Sequence, residues 1–223
     1  MNRTAEWASL PTDWIKNKSN GLSLFGGNDI GHKCAALKIY IAIVLKAKFS
    51  KTEETTHGVA QVTYDEFENF TGLSRALISS GIKFLADHHL ITKTLIGRKQ
   101  LYKLVNFHQP KYWTKMPKRH ILTGKKQCYL HNISPRRRSD LNALRIYLLF
   151  LALRDVRTNE AKISYTKLTE YIGLQRNQIR NALSILVESD LLYITNQHDY
   201  STTLNQSNKY FIRGFYDFRN QAT

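Results

Sequence analysis

Phe70-Thr71-Gly72-Leu73-Ser74-Arg75 returns later in the chain as Tyr171-Ile172-Gly173-Leu174-Gln175-Arg176. In each copy a helical stretch stops at a glycine, where a left-handed turn is cheap only for that residue. A leucine anchors the turn, and a polar residue opens a further run of apolar residues at helical spacing. That run buries Ile78, Gly81, Ile82 and Leu85 in the first copy, and Ile179, Ala182, Leu183 and Leu186 in the second. Gly81 and Ala182 are small where helices cross closely. The pattern predicts two helices joined by a tight turn, written twice. Self-similarity of this kind marks one supersecondary unit built twice.

The match extends upstream. Val62-Thr63-Tyr64 is answered by Ile163-Ser164-Tyr165, with a short helix expected from Asp65. Thr63 and Ser164 are placed to cap it, and Glu66, three residues after Thr63, completes a capping box. Phe67 and Phe70 answer Leu168 and Tyr171 on its buried side. Earlier still, Ala36-Leu37-Lys38-Ile39-Tyr40 returns as Ala143-Leu144-Arg145-Ile146-Tyr147. Apolar residues run from there almost without a break, too far for a half-exposed strand, so a helix largely surrounded by protein is expected. The offset between copies falls from 107 to 101 across the polar connection that follows, which gives the first copy six extra residues in a loop. Downstream, each copy offers two short strands. They fall at 91–96 and 101–107 around Gly97-Arg98-Lys99-Gln100, and at 192–195 and 210–215 around the long polar stretch 196–209.

Helix, short strand, helix, turn, helix and hairpin, in that order, resembles a winged helix-turn-helix domain. The resemblance covers 36–107 and 143–215. The expected fold class is α+β, mostly α, with two tandem winged helix-turn-helix domains related by internal duplication. The expected organisation is an N-terminal extension at 1–35, domain 1 at 36–107, a basic linker at 108–142 and domain 2 at 143–218. A tandem layout in a small basic protein is similar to plasmid replication initiators. That resemblance implies dimerisation through domain 1, giving a homodimer, and a second domain that grips repeated origin sites. A transcription regulator of a plasmid, phage or other mobile element fits the same residues.

Charge narrows the partner. Thirty-three Lys and Arg stand against 17 Asp and Glu, a net +16. From His88 to Ser139 there is no acidic residue in 52 positions and there are 13 basic ones. A solvated surface normally mixes signs, so a long one-sign stretch points to a polyanion. Double-stranded DNA is the expected partner. RNA or nonspecific nucleic-acid binding is the weaker alternative, and an incidental basic surface the plain one.

An inward stripe at 78, 81, 82 and 85 fixes the outward face of that helix as Arg75, Ala76, Ser79, Ser80 and Lys83. In the second copy the outward face is Arg176, Asn177, Arg180, Asn181 and Ser184. Arg pairs with guanine and Asn with adenine through two hydrogen bonds each, so copy two carries the equipment of a base reader. Copy one, with Ala and Ser, suits close backbone approach or protein contacts. Arg98 and Lys99 at the first hairpin tip can reach phosphates or the minor groove. In the basic segment, Lys125 and Lys126 are candidate phosphate contacts. Arg136, Arg137 and Arg138 read either as an arm for a narrow minor groove or as a solvated linker.

Enzymatic chemistry is not expected. The chain has no Walker sequence, no G-x-S-x-G and no H-E-x-x-H. His32 and Cys34 lie far from Cys128 and His131, with no C-x2-C spacing, so no metal and no cofactor are called for. The longest apolar run, 146–153, is far short of the ~20 residues a membrane span requires. No secretory signal is evident near the N-terminus, which carries Glu6 and Asp13. A cytoplasmic, nucleoid-associated protein with reduced thiols is the expectation.

Overall fold

The computed structural model describes residues 6–18, 21–48, 57–107, 112–123, 128–195 and 209–215. It is a mostly helical α+β structure with three small sheets. The first half runs β1 (Ala8–Pro11), α1 (Asp13–Lys16), a 3-10 turn at Leu22–Phe25, α2 (Ile30–Lys46) and β2 (Val59–Gln61). It continues with α3 (Tyr64–Thr71), α4 (Arg75–Asp87), β3 (Ile91–Ile96) and β4 (Lys99–Leu104). The second half runs β5 (Trp113–Met116), α5 (Lys118–Leu122), a 3-10 turn at Tyr129–Asn132, α6 (Arg138–Leu153) and β6 (Glu160–Lys162). It ends with α7 (Tyr165–Ile172), α8 (Arg176–Glu188), β7 (Leu192–Thr195) and β8 (Lys209–Ile212). The two halves share one element order. Their three-stranded sheets also share one strand order, β2-β4-β3 and β6-β8-β7, all antiparallel.

Local chemistry explains the shared parts. Thr63 Oγ1 accepts from the Glu66 amide at 3.2 Å, and Glu66 Oε2 accepts from the Thr63 amide at 2.9 Å, closing the capping box expected there. Gly72 and Gly173 both sit at φ +65° and end α3 and α7. Ser74 caps α4. At the matching place the Gln175 amide donates to Gln178 Oε1 instead, at 3.0 Å. The third helices bury the four positions expected of each.

The boundaries differ from those expected in several places, and β4 and β8 end earlier, at Leu104 and Ile212. The central helices start earlier, at Ile30 and Arg138, because neither has a side-chain cap to announce its start. The short strands lie at 59–61 and 160–162, three residues upstream of the Val62-Thr63-Tyr64 and Ile163-Ser164-Tyr165 stretches expected to hold them, each with a single buried alanine, Ala60 or Ala161. A three-residue strand with small residues leaves no periodicity to read. The expected linker is structured where it is described: β5 pairs with β1, with Ala8 opposite Met116 and Pro11 opposite Trp113.

That pairing sets the first residue of each strand against the last of the other, so a local twofold axis passes between them. Helices α2 and α6 also pack on each other. From Cys34 to Leu45 and from Asp140 to Ala152, every residue is buried. The core is therefore continuous across both halves.

The segments that lead into the central helices cross over. The 3-10 turn before α2 packs on α6 and α7, and the one before α6 packs on α3. Two buried cations hold these crossings. Lys38 Nζ donates to the Ile133 carbonyl at 2.8 Å. Arg145 donates to the carbonyls of Leu22 at 3.0 Å and Ile172 at 2.6 Å, and to Asn142 Oδ1 at 3.2 Å. Burial lowers the Lys38 pKa to about 8 and the Arg145 pKa to about 10.

Candidate nucleic-acid interface

Helix α4 presents Arg75, Ala76, Ser79 and Lys83 to solvent, with Ser80 half-buried and its hydroxyl donating to the Leu77 carbonyl at 3.0 Å. Helix α8 presents Arg176, Asn177, Arg180, Asn181 and Ser184, all exposed. The inward stripes hold both helices against α2 and α6, so these outward faces are fixed by packing.

The electrostatics of the two faces differ through the preceding helix. Arg75 is ion-paired with Asp65 and lies 3.6 Å from Glu68, both on α3. The matching residues of α7 are Thr166 and Thr169. Arg176 therefore has no carboxylate there and lies over the Tyr165 ring, 5.2 Å from its centroid. Asn177 Oδ1 accepts from the Gln178 amide at 2.8 Å, which fixes the side chain at the helix start. Among the described residues, the side chains of Arg180 and Asn181 make no hydrogen bond or ion pair within the chain. Copy one neutralises its leading arginine, whereas copy two leaves its own available. The sequence signal for this contrast is Asp65 and Glu68 aligned with Thr166 and Thr169, on the polar side of the second helices.

The first hairpin is tighter than expected. Gly97, at φ +60°, and Arg98 form a two-residue turn, and Lys99 already belongs to β4. Residues 92–99 are all exposed. Most of the second hairpin loop, 196–208, lies outside the described residues, as do Lys125 and Lys126.

The arginine triplet is neither an extended arm nor a loose linker. Arg137 clamps the buried Asp140, with Nε 2.7 Å from Oδ2 and Nη2 3.2 Å from Oδ1. Arg138 opens α6 and donates to the Gly27 carbonyl at 2.7 Å. Arg136 is exposed, and its amide donates to Ser134 Oγ. A proline-bounded run of three arginines gave no sign that Asp140, two residues on, would hold one of them.

Comparisons with protein-family models, curated proteins and solved structures found no match. Cys34 and Cys128 are buried free thiols, and burial pushes Cys34 up to about 12. Among the described residues no group of three His, Cys, Asp or Glu side chains could hold a metal ion, and no helix is long and apolar enough to cross a membrane.

Proposed function

We propose that this chain is a sequence-specific double-stranded DNA-binding protein, a transcription regulator of a plasmid, phage or mobile element. It is built from two tandem winged helix-turn-helix units and reads the major groove with α8 as principal reader. The observation that carries this reading is the outward face of α8, where Arg176, Asn177, Arg180 and Asn181 stand exposed at the start of a helix held rigidly behind a glycine turn. An exposed helix N-terminus fits the major groove, and these are the side chains that discriminate guanine and adenine, at roughly 1–3 kcal/mol for each good bidentate pair. The matching element and strand orders support an internal duplication.

The inequality of the two faces favours a second reading, a replication initiator in which one unit grips origin repeats and the other serves as clamp or partner surface, including a homodimer through the first unit. An array of bound repeats, as against one isolated site, separates initiator from regulator.

Selection of bound duplexes from random DNA, followed by Arg180→Ala, tests the reading. The variant is expected to lose roughly tenfold or more in affinity for the selected site and to relax choice at one base pair. An unchanged footprint and affinity would remove α8 as the reader. RNA bound as tightly as duplex DNA would remove both readings.

A further inference from the structure

The β3–β4 hairpin carries two large apolar side chains at its tip with nothing packed on them. Leu95 is 66% and Ile96 61% exposed, the highest values for large hydrophobic side chains among the described residues. Successive strand residues point to opposite faces. Leu95 shares one face with Gln100, and Ile96 the other with Lys99. A flat partner surface could cover one of the two, whereas a slot that takes in the tip from both sides covers both.

The surrounding charge identifies the slot. Lys93, Arg98 and Lys99 are exposed on the same hairpin, which falls in the 52-residue stretch with no acidic residue. A narrow blade with apolar flanks and a cationic rim is complementary to the minor groove of a duplex. There, apolar side chains wedge between base steps while cations meet phosphates. The second copy carries Asn196 and Gln197 where the first has Leu95 and Ile96. We infer that Leu95 and Ile96 form a minor-groove wedge that unstacks a base step and bends the bound duplex, resting on the reading of this chain as a duplex-binding protein. Copy two then selects the sequence by base edges, and copy one adds selectivity for a deformable step that no side chain reads directly.

The test uses the full chain and a duplex selected as above, labelled at both ends for energy transfer, with Leu95→Thr/Ile96→Thr as the variant. Threonine keeps the β-branched preference of the strand while removing the apolar bulk. The wild type is expected to bend the duplex and the double variant to leave it nearly straight, with less than a tenfold loss of affinity. The variant is also expected to lose the preference for a flexible TA or CA step at the bend. A straight duplex under the wild type, or an equal bend under the variant, overturns the wedge while leaving duplex recognition intact. Failure of the wild type to bind any duplex overturns both. If light scattering shows a wild-type dimer that the variant converts to monomer, with bending unchanged, the tip is a contact between copies of this chain and the wedge is again overturned.

Discussion

Lys38 and Arg145 occupy the same place in the repeated motif, and each donates to a carbonyl in the segment that leads into the other half. Neither forms an ion pair with a described carboxylate. Part of the +16 charge is thus structural and never meets a polyanion. Lys38 also carries a pH signature. Its folded pKa, about 8, lies below the ordinary 10.5, so the unfolded chain binds more protons between these values and stability rises with pH from about 8. Cys34 acts in the opposite sense. Its folded pKa, about 12, exceeds the ordinary 9.0, so its contribution is lost as pH rises above 9. Between pH 8 and 9 the lysine acts unopposed by Cys34. Urea unfolding is expected to show a gain of about 1 kcal/mol across that window, one pKa unit of linkage at most. The gain should vanish in Lys38→Met, and a gain that persists in the variant would assign the effect to another group.

The elements meet most tightly where α4 crosses α2. A Cβ added at Gly81 would lie 2.6 Å from Ile39 Cδ1, 2.9 Å from the Ala36 nitrogen and 3.1 Å from the Ala35 carbonyl carbon. The isoleucine tip can turn aside, but the backbone atoms cannot. Overpacking of this kind costs roughly 1–3 kcal/mol, against up to about 1 kcal/mol gained in helix propensity. Gly81→Ala is expected to lower stability by about 1–2 kcal/mol in urea titrations even though Ala182 fills the matching place in α8. A variant as stable as wild type would mean that the two helices can separate. The smallness of both residues was legible in the sequence, as were the glycine turns, the Thr63–Glu66 box and the inward stripes, because each rests on contacts within a few residues. The crossing 3-10 turns and the β1–β5 pair were not, because they join segments up to about 120 residues apart and no local period records such a partner. The Arg137–Asp140 clamp spans only three residues, but the burial of Asp140 that draws the arginine to it is set by the surrounding core and not by the local sequence. The outward face of α8 could be named as a consequence of its inward stripe, while its contrast with α4 depended on Asp65 and Glu68, one helix away.

At the scale of the molecule, the fully buried stretches Cys34–Leu45 and Asp140–Ala152 lie in one continuous core, which argues against halves that fold independently. Separating the halves would expose the α2-facing side of α6 and the α6-facing side of α2, and would strand Lys38 and Arg145 without the Ile133 and Leu22 carbonyls. Calorimetry is therefore expected to show a single cooperative transition, and residues 113–223 made alone are expected not to unfold cooperatively. Two resolved transitions, or a fragment with the melting temperature of the whole, would disprove the shared core. Its intramolecular character bears on dosage. Two subunits that assemble before binding occupy their site with the square of concentration at low abundance, because the pair itself falls apart on dilution. Here the partner of each half is tethered, so its effective concentration does not change with copy number. A single molecule delivers both halves at once. On the proposed reading of a duplex-binding protein that acts as one chain, occupancy is expected to follow abundance linearly, without the threshold of an assembling pair.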